Sequence, residues 1–174
     1  ITPGDVSHIW VAIPGAGVDF FDIRSGKSVH VRPVRDAGDP ASMGDIRLAG
    51  GNGEQVWAAF AHAGVYRIYR ESARMYRMPL PLDRRQEHMA VYRDLILDRK
   101  GRIWIATDGD GLIMRDMRSD DVVRITHHPF ISSSLPSAAL SRLFHDRAGN
   151  LWVGTNGKGV SFHSPAQKNF RTLT

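Results

Sequence analysis

Residues 98–112 read DRKGRIWIATDGDGL and residues 146–160 read DRAGNLWVGTNGKGV. The two strings share Asp, Arg, Gly, Trp, Thr and both glycines of the closing turn. Outward from them, Trp10, Trp57, Trp104 and Trp152 follow one another at intervals of 47, 47 and 48 residues. A branched apolar residue precedes each of them (Ile9, Val56, Ile103, Leu151), and a glycine stands seven positions after each (Gly17, Gly64, Gly111, Gly159). Self-similarity at a fixed period of roughly 20–50 residues marks a repeat architecture.

Within one unit the apolar residues alternate with polar ones, and Gly, Asp, Asn and Pro bound each run, which predicts short antiparallel strands. In the last unit the expected strands are Ser141 to Asp146, Leu151 to Thr155, Val160 to His163 and Phe170 to Leu173. Asp146-Arg147-Ala148-Gly149 joins the first two as a tight turn in which Asp accepts from the backbone that follows it and Gly takes positive φ. No segment holds the three-to-four apolar spacing of a repeat helix. Four short strands per unit of about 47 residues is the arrangement of a β-propeller. The expected fold is all-β, a β-propeller of about four blades of four antiparallel strands. The approximate blades are 1–35, 44–82, 91–128 and 139–174. The first blade is expected to be incomplete, with strands two to four only. Linkers of about a dozen residues, Pro33 to Gly44, Pro79 to Ala90 and His127 to Ala139, are long for a compact domain. At this period a seven-bladed ring needs roughly 330 residues, so the 174 residues are expected to belong to a larger array, the alternative being four blades that close alone.

The strings from Asp98 and Asp146, with ISSSLPSAALSRLFHD between them, resemble the two-component regulator propeller repeat. That family forms the periplasmic sensor region of membrane-bound bacterial signalling proteins, among them hybrid histidine kinases and some diguanylate cyclases. The resemblance is strong from Leu95 to Leu173. The earlier half keeps the Trp and the following Gly but has Phe60 in place of Thr107 and Thr155, and His62 in place of Gly109 and Gly157. The resemblance implies a periplasmic ectodomain of an inner-membrane protein, attached through a segment of the parent outside this sequence, with a kinase or cyclase output module. The spacing Asp146-x-x-Gly149-x-x-Trp152 is also similar to the Asp-box turn of sialidase-like propellers, with one residue more between Asp and Gly.

Composition narrows the function classes. There is no cysteine, which excludes disulfides, thiolate metal sites and cysteine nucleophiles. The 23 Lys+Arg against 18 Asp+Glu give +5, and 19 of the cations are Arg, scattered singly apart from Arg84-Arg85. A nucleic-acid partner would call for a basic stripe, so none is expected. No apolar run reaches the roughly 20 residues of a membrane span, and the chain opens on Ile1 without a signal-peptide pattern, as an excised or processed piece would.

The repeated tryptophans and glycines are expected to be structural, the Trp packing between blades. Asp108-Gly-Asp110-Gly and Asn156-Gly-Lys158-Gly read as hairpin turns. As exposed Gly-rich turns beside the long linkers they also supply the candidate binding residues Asp108, Asp110, Asn156 and Lys158, with Arg84, Arg85, His88, His127 and His128 from the linkers. A strand follows the last glycine of each turn, which excludes a dinucleotide loop. Adjacent histidines in an extended segment point to opposite sides, so His127 and His128 are not expected to hold a metal. No catalytic residue and no cofactor is expected. The expected partner is a small-molecule ligand, a carbohydrate being one class, or a protein, together with self-association through further blades or a second subunit.

Overall fold

The computed structural model describes residues 1–5, 7–33, 44–51, 53–82, 89–164, 166 and 170–173. The strands are β1 (Thr2–Pro3), β2 (His8–Ile13), β3 (Gly17–Asp22), β4 (Ser28–Pro33), β5 (Ile46–Ala49), β6 (Gln55–Phe60), β7 (Gly64–Tyr69), β8 (Arg74–Arg77), β9 (Tyr92–Leu97), β10 (Arg102–Thr107), β11 (Leu112–Asp116), β12 (Val122–Ile125), β13 (Leu140–His145), β14 (Leu151–Thr155), β15 (Val160–His163) and β16 (Phe170–Leu173). They form four antiparallel groups of four in chain order, each a meander in which consecutive strands pair. These are the blades of a β-propeller.

The chain divides into two units, Ile1–Pro79 and Leu80–Thr174, each holding two blades. In the first unit the outer strands β4 and β8 also meet in a short parallel pairing, Arg32 with Arg74 and Pro33 with Met75. Its core gathers Trp10, Phe20 and Val31 of the first blade with Val56, Ala58, Ile68 and Met75 of the second. In the second unit Trp104, Ala106 and Leu112 of the third blade pack with Leu143, Leu151, Val153 and Phe170 of the fourth, around Leu135 of the linker. Alternation along each strand sends one row of residues to one face of the blade and the next row to the other, and β6 and β10, buried at five consecutive residues, are covered on both faces.

The first blade is not the three-stranded remnant expected from the pattern. Thr2 pairs with Trp10 and Pro3 with Ile9, which gives it a fourth strand. Two residues ending in proline carry no period-two signal, and proline is tolerated because the strand lies at a sheet edge. A turn in which the Gly4 and Asp5 amides both donate to the His8 carbonyl folds this strand back.

Each good repeat is locked by one carboxylate. The Trp104 indole N–H donates to Asp98 Oδ2 at 3.0 Å, Arg102 Nε donates to the same oxygen at 2.6 Å, and the Lys100 and Arg102 amides donate to Oδ1. One repeat later the Trp152 indole donates to Asp146 at 2.9 Å and the Asn150 side-chain amide at 2.8 Å. The hairpin carries Trp, six positions on, back over the Asp that begins the turn. These donors hold Asp146 well below the ordinary carboxylate value, at about 2, with the Trp152 indole as the largest influence. Burial pushes Asp98 up, but the Trp104 indole and the Arg102 amide and guanidinium outweigh it, and the net shift is downward.

Where the early repeats depart from the pattern, the packing changes with them. Thr107 and Thr155 each donate a hydroxyl hydrogen bond to the glycine carbonyl across their turn, Gly111 and Gly159, at 2.7 Å. Phe60, at that position in the second blade, buries its ring edge-on to Tyr66 at 5.4 Å. The turn Ala61 to Ala63 still closes through the Ala63 amide and the Phe60 carbonyl, with Gly64 at φ 106°.

His163 is half-buried against Trp104 and Phe170, and that burial, with Arg102 and Lys100 nearby, lowers its pKa from the ordinary value of 6.5. A group whose folded pKa is depressed contributes stability that is present above the unfolded value and is lost as pH falls through the folded one. Stability therefore declines as pH drops below about 6.5, and His163→Phe removes that part of the decline. Urea melts of both proteins at pH 7 and pH 5 check this. An equal pH loss in both would mean that His163 does not titrate in this window.

Candidate functional site

At one end of the second unit, two turns and a linker meet. The turn Asp108 to Gly111 joins β10 to β11, and Asn156 to Gly159 joins β14 to β15. The Gly109 and Gly111 amides donate to the Ala138 carbonyl at 3.1 and 2.9 Å, and the Asn156 amide donates to the Ala139 carbonyl at 2.9 Å. Asp108 and Ala139 form an isolated bridge. Residues 138–139 of the third linker are thus stitched to both turns, and the candidate residues of both blades share one surface.

Their side chains are committed to different degrees. Asp108 is paired with Arg93, whose Nε donates to Asp108 Oδ2 at 3.1 Å. Asp110 is paired with Arg124, which donates to its carboxylate at 2.8 Å and to its carbonyl at 2.9 Å. Both aspartates therefore serve as anchors for arginines. Asn156 and Lys158 are exposed and, among the described residues, their side chains make no hydrogen bond. His127 is exposed but tied to the linker: its Nδ1 donates to the Leu135 carbonyl at 2.8 Å, and the two residues bridge in parallel. His128 is exposed, its amide accepted by Ser134 Oγ at 3.0 Å. Arg84, Arg85 and His88 lie outside the described residues.

Two residues that the sequence reading missed belong to this surface. Arg142 donates to the Ser141 carbonyl at 2.8 Å and the Arg93 carbonyl at 3.4 Å, and among the described residues it makes no ion pair. Arg93 and Arg142 stand on β9 and β13, which are linked by the Leu143 amide donating to Asp94 at 3.0 Å. The pairing slips by one residue at both places, between Ala106 and Thr107 against β9 and between Leu140 and Arg142 on β13. Such bulges re-aim a side chain. A signal for these residues was present: Arg47, Arg93 and Arg142 precede their tryptophans by 10, 11 and 10 residues. The result is a surface on which Arg142, Lys158 and Asn156 remain available to an acceptor-rich or anionic group.

A concave region, separate from that surface, lies in the first unit, at the end of the second blade away from the Ala61 to Ala63 turn. It is an open depression of about 970 Å³ lined by Glu54, Tyr69, Arg70, Glu71, Ser72 and Tyr76. Tyr69 and Tyr76 meet edge-on at 5.7 Å, and Arg67 lies over Tyr69 at 4.9 Å.

Against known families, residues 87–109 and 134–157 match the family described as two component regulator propeller. These two segments, 47 of the 174 residues, are similar to two component regulator propeller repeats. They include the Asp98–Trp104 and Asp146–Trp152 locks and the first two residues of each turn, Asp108–Gly109 and Asn156–Gly157. No curated protein sequence matches the chain. Among solved structures, the extracellular domain of the hybrid two component system BT4673 from B. thetaiotaomicron is similar with a TM-score of 0.69 at 17% identity, over 96% of this chain and 23% of that one. Virginiamycin B lyase from Staphylococcus aureus is similar with a TM-score of 0.68 at 11% identity, over 95% of this chain and 52% of that one. The Cps50 (Swd1) β-propeller domain from Myceliophteria thermophila gives 0.62 at 16%, over 90% and 47%. The chain thus spans about a quarter of the BT4673 domain and about half of the other two. At these identities the likeness establishes the β-propeller fold.

Proposed function

We propose that this chain is the recognition part of the extracytoplasmic sensor region of a bacterial transmembrane signalling protein, of the hybrid-kinase or diguanylate-cyclase type, placed in the periplasm. The observation that carries this reading is the pair of two component regulator propeller repeats, whose turns, joined by residues 138–139, bring Asp108, Asp110, Asn156 and Lys158 onto one surface. The likeness to the extracellular domain of a hybrid two component system supports the same reading. The chain itself is read as non-catalytic, with output residing elsewhere in the parent.

The ligand would be a small molecule with an anionic or acceptor-rich group, or a protein segment of that chemistry, held by Arg142, Lys158 and Asn156. Signalling requires that it bind two arrangements of the receptor unequally, since equal binding shifts no equilibrium. A thermal-shift screen over sugars and small organic anions, followed by calorimetry on the hits, tests this. The expected result is a hit whose affinity falls about tenfold or more in Arg142→Ala, the loss of a charge-assisted hydrogen bond. If the intact parent ectodomain binds no such compound, the chain is a scaffold for protein interaction rather than a sensor.

A further inference from the structure

The seam between the third and fourth blades is built differently at its two ends. At the turn end it is stitched by backbone, the Gly109 and Gly111 amides donating to the Ala138 carbonyl and the Asn156 amide to the Ala139 carbonyl. Midway along it the Leu143 amide donates to Asp94 at 3.0 Å. At the hairpin end, beside the turns that begin at Asp98 and Asp146, side chains meet instead. There the fourth blade presents His145, Leu151, His163 and Phe170, register partners across β13, β14, β15 and β16. Leu151 and Phe170 pack on Trp104 of the third blade, which is left 3% exposed. His163 closes the four-residue β15 and so stands about 10 Å along the strand from the stitched end.

Both histidines fit this place poorly. His145 Nδ1 donates to the Asn150 carbonyl at 3.3 Å, and its Nε2 is buried without a hydrogen-bond partner among the described residues. A buried polar atom left unpaired weighs against the closed seam. The His163 ring lies 6.3 Å from Trp104 and 5.2 Å from Phe170, centroid to centroid. The cations of the third blade that face it are Arg102 on β10, over the Trp104 ring at 5.2 Å, and Lys100 of the hairpin. Asp98 is turned to Arg102 Nε and to the Trp104 indole, at 2.6 and 3.0 Å. On its own blade its register neighbours Leu151 and Phe170 are apolar, and Asp146 is taken up by Asn150 and the Trp152 indole. No carboxylate is placed to hold an imidazolium at 163, and burial and both cations oppose one.

We propose that the hairpin end of this seam is an acid-sensitive hinge, which a proton on His163 opens to water while the stitched turn end stays joined. The closed seam disfavours the charged ring and the open seam hydrates it, so protons favour the open form. Opening also hydrates Nε2 of His145. With one titrating group the open population rises by at most about tenfold per pH unit. Such an input acts through the packing of two blades and needs no ligand at the turn surface.

Replacing the four tryptophans by 5-fluorotryptophan gives a fluorine NMR signal for each, assigned with single Trp→Phe variants. A neutral gadolinium chelate broadens the signals of rings that reach water. Between pH 7 and pH 5 the Trp104 signal should become several-fold more sensitive to the chelate, while Trp10, fully buried in the first unit, stays protected. His163→Phe should keep Trp104 protected at both values. A Trp104 signal equally protected at pH 7 and pH 5 overturns the proposal. Loss of protection at Trp10 in step with Trp104 does so too, because the acid transition is then global unfolding. An acid response that survives in His163→Phe also overturns it, since another group would be titrating. The first two of these outcomes are read without any histidine substitution, so the test stands whether or not the variant folds.

Discussion

Replacing Trp104 by alanine is expected to cost roughly 3 to 5 kcal/mol, the range for removing a large aromatic from a packed interior. The ring is 3% exposed and sits among Leu143, Leu151 and Phe170, so the void opens between two blades rather than at a surface that can close over it. The loss has a second part. Asp98 keeps its burial and its amide donors but loses the indole N–H that helps hold it ionised. Urea unfolding measures the cost directly. Trp152→Ala is the internal comparison: the sequence treats the two tryptophans as equivalents, yet Trp152 is half-buried, on the face it shares with the exposed Phe144, so its replacement should cost clearly less. Equal losses at the two positions would mean that this face is covered in solution.

Gly111→Ala is the second large effect. Gly111 has φ of 82°, in the left-handed region, and a Cβ there would lie 2.4 Å from the Ile125 carbonyl oxygen and 3.2 Å from Thr126 Cα. Both are backbone atoms and cannot swing aside as a side chain could. The left-handed residue alone costs about 1 to 2 kcal/mol, and the clash forces β11 away from β12 in addition. Gly157 provides the control, with a φ of 80° and nothing within 4 Å of its Cβ position. Gly157→Ala should therefore show only the backbone cost. Thermal melts of the two variants should separate by several degrees, and coincident melts would remove the clash argument.

Much of the site was legible because it lies in the repeat. The turns at Asp108 and Asn156 are local features, fixed by glycines at positive φ, and the sequence places them at strand ends without ambiguity. Residues 138–139, which join the two turns, were visible only as part of a long linker. Their backbone bonds to Gly109, Gly111 and Asn156 connect residues far apart in the chain, and no side-chain type announces them. Arg93 and Arg142 escaped for a related reason: bulges shift their register, and a strict count from the tryptophan slips by one residue between repeats. The ion pairs of Asp108 and Asp110 are likewise non-local, and they turn two apparent ligand carboxylates into supports for arginines.

By itself the sequence determined the blade: the four-stranded meander, the limits of the last three strands of the last repeat, the turn glycines and the period of the tryptophans, while β13 runs Leu140–His145, one residue earlier than the expected Ser141 to Asp146. These depend on alternation, chirality and turn chemistry, which act over a few residues and are written into the order of residue types. Tertiary structure decided which face of each blade is covered, and so which tryptophan is buried core and which borders an open surface. It also closed the first blade with Thr2–Pro3 and tied Asp98 and Asp146 to their indoles. Burial is a property of what packs against a surface, and identical repeats carry no mark of whether a neighbour stands beside them.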